Sequence, residues 1–272
     1  CKNLNSKFII LQKESIFTPA EEAGALKIYR KYNDKSKAHK VSVYSQSQKK
    51  LLVKSGLIDK EKIIINGNPR CDYSFKLRKF KPKGKTIVYY LIESNRNKNI
   101  FVKNKNINWK KLYNQTLQYT IEFARNNPSY KIILKGKNGV HKKRHFNQIK
   151  LPQNCFFIKD GVGHKLLNDA SIVIAFNSTI VFESILANRN LIIPNFNNEN
   201  ISRKKFLLNI KNNKYFASNK KQFIKKMNNY LKSKYKVKKI SKDDIETLRY
   251  YTGNIDGNSG IRVKKFIKGT YN

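Results

Sequence analysis

The sequence predicts an α/β fold in which short parallel strands alternate with helices, and three observations predict it. Short apolar runs rich in β-branched residues recur along the chain, of a length that suits strands buried on both faces. Amphipathic segments with helical spacing lie between them. One stretch, Asn168 to Phe196, contains the whole repeating unit: a strand from Ile172 to Phe176, then the good N-cap residues Asn177, Ser178 and Thr179. Ile180, Val181, Phe182, Ile185 and Leu186 follow at helical spacing, Asn188 to Asn190 break the helix, and a second strand over Leu191 to Ile193 stops at Pro194.

Taken in order, Phe8 to Leu11 reads as a buried strand, and Lys13 and Glu14 leave its carboxyl end. In open α/β sheets ligands bind at the carboxyl ends of strands, so both are expected to line a cleft, unless they form an exposed ion pair in a loop. A helix is expected over Ala20 to Tyr32, a strand over Lys40 to Ser45, a helix from Gln46 to Ser55 ending at Gly56, and a strand over residues 62 to 65. In the turn Asn66-Gly67-Asn68-Pro69-Arg70, Gly67 allows a tight bend, Pro69 fixes the path and Arg70 offers a fork for carboxylate or phosphate. The basic segment from Ser74 to Lys85, with Pro82 and Gly84, carries little core and reads as a hinge.

Thr86 to Ile92 opens the second half as a strong strand, followed by a polar loop from Glu93 to Asn108 and an amphipathic helix over Trp109 to Asn126. Tyr130 to Leu134 and Asn154 to Ile158 are further strands, and Gly161 to His164 opens a helix reaching Asn168. His141 and His145 can share a helical face but lack an acidic or cysteine partner, so surface histidines are expected rather than a metal pair. After the central unit come Phe206-Leu-Leu, a short strand at Tyr215-Phe-Ala, a helix over Lys220 to Leu231, and two tail helices from Ser241 and from the Asp256-Gly-Asn-Ser segment.

The chemistry of the central unit sits at its turn. Unpaired backbone N–H groups at a helix start suit a phosphate, and Ser178 and Thr179 add hydroxyls there. Glu183, one turn further in, suits a ribose or sugar hydroxyl. Plain capping of a structural helix, with Glu183 solvated, is the competing reading.

The chain has 272 residues, and its 58 Lys and Arg against 17 Asp and Glu give a formal net charge of +41. Such an excess attracts polyanions such as nucleic acid, anionic lipid or acidic polysaccharide. The lysines are spread along the whole chain beside abundant Asn and Ile, all encoded by A- and T-rich codons, so specific nucleic-acid recognition is not expected. No apolar run approaches the roughly 20 residues needed to span a bilayer. Three cysteines (Cys1, Cys71 and Cys155) without metal-ligand spacing point to reduced thiols and a cytoplasmic setting, although a mature lipoprotein would also begin with Cys. No metal and no cofactor are expected.

Several of these segments together resemble the GT-B glycosyltransferase-like proteins of bacterial surface-carbohydrate (capsule or lipopolysaccharide) biosynthesis, relatives of CDP-glycerol glycerophosphotransferases and UDP-GlcNAc 2-epimerases. The resemblance rests on Asp169-Ala-Ser-Ile-Val-Ile, Asn177-Ser-Thr, Phe182-Glu-Ser-Ile-Leu-Ala, the Gly67-Asn-Pro-Arg-x-Asp72 loop and the Asp256-Gly-Asn-Ser-x-x-Arg262 tail, in that family's order. It implies a GT-B-like fold of Rossmann-type parallel sheets with helices on both faces and an incomplete N-terminal domain. Residues 1–75 would be the last part of the acceptor-side domain, 76–85 a hinge, 86–240 the donor nucleotide-binding domain, and 241–272 helices crossing back toward the first. The implied reaction is metal-independent transfer of a sugar from a nucleotide-sugar donor to a surface glycan or lipid-linked acceptor, with peripheral contact to an anionic membrane. Ser178, Thr179, Lys135, Lys137, Arg70 and His164 would serve the nucleotide and phosphates, Glu183 the ribose or sugar, and Glu14 would be the catalytic base. Transfer of a polyol phosphate from a CDP-glycerol type donor, and non-catalytic binding of RNA or an anionic membrane, are the alternatives.

Overall fold

A computed structural model of the protein describes residues 7–12, 16–31, 35–94, 107–141, 146, 149–196 and 207–271. Two separate parallel sheets organise it, one of three strands and one of six. The smaller holds β1 (Ile9–Leu11), β2 (Lys40–Val43) and β3 (Ile63–Ile65), side by side in chain order. Helices α1 (Pro19–Lys31) and α2 (Gln46–Ser55) make the crossovers, as parallel strands require. Its core is small: Ala38, Val41, Val43, Leu52, Ile58 and Ile63.

The larger sheet contains β4 (Thr86–Tyr90), β5 (Lys131–Lys135), β6 (Cys155–Ile158), β7 (Ala170–Ile174), β8 (Asn190–Pro194) and β9 (Phe216–Ala217). Its spatial order is β6-β5-β4-β7-β8-β9. The chain thus starts in the middle, moves outward on one side, and returns to the other side of β4. The order reverses between β4 and β7, where open sheets of this kind leave a ligand crevice at their carboxyl ends. Helices α4 (Trp109–Asn126), α5 (Ile180–Leu186) and α6 (Lys220–Lys232) complete this lobe. Ile87, Ile132, Leu134, Ile172, Ile174 and Leu191 are fully buried, as strands covered on both faces demand. The architecture is the expected α/β one, with Rossmann-type parallel sheets and helices on both faces.

Three local differences from the sequence reading have physical causes. The segment before β7 forms a 3-10 helix over Gly163–Asn168 rather than an α-helix, since six residues make barely two tight turns. β8 begins at Asn190, which the sequence marks as a breaker, because its backbone completes the ladder with Ile172. Most consequential, a helix α3 (Pro69–Leu77) replaces the start of the expected hinge. Asn68 caps it by accepting a hydrogen bond from the Arg70 amide at 3.1 Å, and Pro69 at its first turn loses no partner. Cys71 and Leu77 are buried in the core of the larger lobe, so α3 joins the two lobes instead of spacing them.

The tail returns to this junction. Helices α7 (Lys242–Thr252) and α8 (Ser259–Tyr271) close the chain, and α8 packs against α3 and β2. The Asp72 carboxylate accepts the amides of Ser259 at 3.0 Å and Gly260 at 2.7 Å, capping α8 from another element. Arg262 holds Asp256 with both nitrogens of its fork, at 2.8 and 2.9 Å, and donates from Nε to the Asn66 carbonyl at 2.9 Å. The two motifs that carry the family resemblance at either end of the chain are thus bonded to one another. Gly67 (φ +82°) and Gly253 (φ +79°) sit at the closest approach, where any side chain would collide. Asp72→Ala should therefore cost about 0.5–2 kcal/mol of stability, the usual value of an N-cap. Urea denaturation monitored by circular dichroism measures it; an unchanged midpoint would show that the cap contributes nothing.

Candidate functional site

The crevice at the β4/β7 reversal is lined by five segments. The turn after β7 contributes Asn177, Ser178 and Thr179, and α5 contributes Glu183; β4 contributes Tyr90, the 3-10 turn His164, and the joining helix α3 Arg70.

Asn177 shapes the turn. Its backbone is in the left-handed region at φ 43°, which Asn tolerates better than most residues, and its Oδ1 accepts the Leu208 amide at 3.0 Å. Ser178 and Thr179 are half-buried, and the Thr179 hydroxyl caps nothing. The amides of Val181, Phe182 and Glu183 already bond to the Ser178 and Thr179 carbonyls. Any anion at this turn would therefore use the two hydroxyls and the amides before Val181.

Glu183 is the unusual group. Its side chain is 1% exposed, and among the described residues neither carboxylate oxygen receives an aligned hydrogen bond. Arg70 Nη2 reaches Oε1 at 3.1 Å from the first turn of α3, with the Arg70 side chain 49% exposed. The contact therefore supplies charge but leaves the oxygens' acceptor capacity open. Burial pushes the Glu183 carboxyl up from its ordinary range, and Arg70 opposes that shift. Buried polar atoms are nearly always satisfied, so such a carboxylate calls for a donor-bearing occupant. The competing reading of a solvated Glu183 does not hold, since its side chain is buried beside the turn.

The other expected site residues divide. His164 lies edge-on to Tyr73, with ring centroids 5.2 Å apart. Burial first, then Arg70 and Lys165, hold its imidazole below the usual histidine value, so at neutral pH it offers a neutral ring rather than a cation. Lys135 is buried and donates to three carbonyls, those of Gly136, Lys159 and Asp160, which uses every proton of its ammonium. It braces the loops after β5 and β6, a different task from binding a diphosphate. Lys137 is exposed and pairs with Glu93 at 3.5 Å. Glu14, with Lys13, lies outside the described residues, as does His145. His141, expected at the surface, is buried: its Nδ1 accepts the Lys137 amide at 3.1 Å and its Nε2 faces the Ile92 carbonyl at 3.2 Å.

Sequence reading missed Tyr90. It ends β4, its hydroxyl donates to the Gly163 carbonyl at 2.8 Å, and burial together with Glu183 raises its pKa. Its place at the carboxyl end of the strand beside the reversal was the available signal. Among the described residues no group of three or more His, Cys, Asp or Glu side chains is placed to hold a metal ion.

No protein-family model matches the chain, and no curated protein matches it in sequence. Solved structures do match in shape. The wall teichoic acid polymerase TagF superposes with a TM-score of 0.56 at 12% identity, covering 98% of this chain and 69% of that one. A TagF variant soaked with CDPG gives 0.53 at 13%, covering 100% and 71%. The UDP-GlcNAc 2-epimerase of Methanocaldococcus jannaschii, in complex with UDP-GlcNAc and UDP, gives 0.50 at 17%. The fold is GT-B-like. At such identities the likeness is one of fold. This chain spans 62% of the epimerase's own length.

Proposed function

We propose that this chain carries the donor site of a glycosyltransferase-like enzyme that moves a sugar from a nucleotide-activated donor to a bacterial surface glycan. The observation that supports it most is Glu183: a buried carboxylate with open acceptor capacity, beside a hydroxyl-bearing turn, at the reversal point of a parallel sheet. In this reading the nucleotide's hydroxyls donate to Glu183, and Ser178, Thr179 and Arg70 take its phosphates. Arg70 would then exchange a carboxylate for a phosphate without leaving the cleft. The acceptor hydroxyl attacks the sugar's anomeric carbon, the bond to the phosphate oxygen breaks, and a nucleoside phosphate departs. Its growing negative charge is what the turn and Arg70 would stabilise. His164 would contact the donor as a neutral ring, and Glu14 is the proposed base for the acceptor proton.

The same turn would hold a CDP-linked polyol donor, so the screen must include one. The rival reading, a polyanion-binding protein, needs exposed stacking aromatics along a basic groove. Trp109, Phe176, Phe182 and Phe223 are instead buried in the core, and the exposed Phe8, Tyr73, Phe80, Phe156 and Tyr250 are scattered over separate segments. No helix among the described residues is long and apolar enough to cross a membrane.

Thermal-shift screening of UDP- and CDP-linked donors tests the proposal, since a ligand bound only by the folded state raises its melting temperature. Ser178→Ala/Thr179→Ala should abolish most of the shift while leaving the melting point of the free protein nearly unchanged, because Thr179 caps nothing. A full shift retained by the double variant would place the donor elsewhere.

A further inference from the structure

At the other end of α3 and α5, away from the cleft, lies a second cavity of about 380 Å³. It opens at the amino end of β8, beneath the segment that links α6 to α7. Asn188, in the left-handed region at φ 55°, pins that segment: its Nδ2 donates to the Lys236 carbonyl at 3.0 Å and its Oδ1 accepts the Lys238 amide at 3.4 Å. Arg78, Arg189, Lys214, Lys226, Lys238 and Lys239 line the cavity, and Asp244 is the one carboxylate among its lining residues.

Two of these groups are buried with unmet hydrogen-bonding capacity. Arg189 is 4% exposed; it donates from Nε to the Leu167 carbonyl at 2.6 Å and from Nη1 to the Phe80 carbonyl at 3.1 Å, while its Nη2 has no acceptor in good geometry. The Tyr235 hydroxyl donates to the Arg78 carbonyl at 3.0 Å, and its oxygen lies beside the Arg189 guanidinium, a contact an anion would share or replace. Asp244 is 2% exposed; its Oδ2 accepts from Ser241 at 2.7 Å, Tyr215 at 3.0 Å, Lys214 at 3.3 Å and Asn212 at 3.4 Å, and its Oδ1 accepts nothing. A cationic cavity with one poorly aligned donor and one open acceptor suits an occupant with an anionic head and a hydroxylated body. Its volume falls within the usual range of small-ligand sites, roughly 300–1,000 Å³. Burial disfavours the charge of both Arg78 and Arg189, a cost that a bound dianion would offset.

We infer that this cavity is a second binding site, distinct from the donor cleft, for a hydroxylated phosphate ester of the sugar-phosphate class. The phosphate meets Arg189 and the lysines, and a hydroxyl donates to Asp244. The same chemistry, a phosphate monoester on a hydroxylated ring, is offered by a free sugar phosphate and by a phosphorylated inositol lipid headgroup.

Calorimetric titration of the full chain with glucose 6-phosphate, at about 0.15 M salt to screen diffuse attraction, tests the site. Saturable binding is expected, tighter than for inorganic phosphate or glucose alone. Lys238→Glu/Lys239→Glu should weaken it at least tenfold, as should Arg189→Gln if that variant folds. The charge-matched Lys264→Glu/Lys265→Glu and the cleft variant Ser178→Ala/Thr179→Ala should leave it unchanged. Cosedimentation with vesicles carrying phosphatidylinositol 4-phosphate, against phosphatidylcholine, separates the sources: pelleting lost in Lys238→Glu/Lys239→Glu identifies the headgroup, and no pelleting identifies the soluble ester. Absence of binding to both probes, or binding indifferent to the Lys238/Lys239 reversal, overturns the inference.

Discussion

Glu183→Gln is expected to lower affinity for a nucleotide-activated donor roughly ten- to a hundredfold, the equivalent of about 1.5–3 kcal/mol for hydrogen bonds made to a charged group. The same change should stabilise the free protein at neutral pH. Burial holds the Glu183 carboxyl above its ordinary range. The folded protein therefore binds this proton more tightly than the unfolded chain does. With the folded value raised, stability declines as pH climbs from the ordinary carboxylate range through the folded value. Glutamine carries no such proton, so the variant's advantage should be present at pH 7 and shrink toward about pH 4. Arg70, half-exposed, is left solvated rather than stranded. Calorimetric titration with the donor measures the loss of affinity, and urea melts at the two pH values measure the stability difference. A variant that binds as tightly as the parent would remove Glu183 from the site.

Gly253→Ala should be among the most destabilising single changes available, at roughly 2–5 kcal/mol. Two costs add there. The residue sits at φ +79°, and its Cβ would stand 2.0 Å from the Tyr44 carbonyl oxygen and 3.1 Å from the Cα of Gly67. Both neighbours are backbone, so neither can step aside as a side-chain tip would. Gly56 separates the two costs: it has φ +76° but nothing within 4 Å of its Cβ, so Gly56→Ala should lose only about 1 kcal/mol. Thermal melts of the two variants make the comparison. Equal losses would mean that the contact with Tyr44 is relieved by a backbone shift.

The strands were legible because parallel strands buried on both faces leave unbroken apolar runs such as Ile132–Leu134 and Ile172–Ile174. The turn at Asn177–Thr179 was legible because cap residues directly follow such a run. Helix α3 was also written in the chain, in the Asn68-Pro69 start and the spacing of Cys71, Ser74 and Leu77, but the surrounding lysines masked it as a linker. The fates of Lys135 and Glu183 were not legible. Lys135 is spent on the carbonyls of Lys159 and Asp160, and Glu183 is met by Arg70 from α3. Both outcomes depend on partners more than 20 positions away, which no local pattern encodes.

The bonds between Asp72 and the start of α8 join residues 187 and 188 positions apart, and Arg262 reaches back 196 positions to Asn66. During synthesis the six strands of the larger lobe, contiguous from β4 to β9, are all in hand before α8 is made. The smaller lobe, although made earlier, cannot be finished until α8 leaves the ribosome. Its three-stranded sheet is therefore the portion exposed longest on the nascent chain, with the unpaired edges that invite misassembly. Ribosomes stalled before residue 259 should display it open to protease, and release of the final helix should close it.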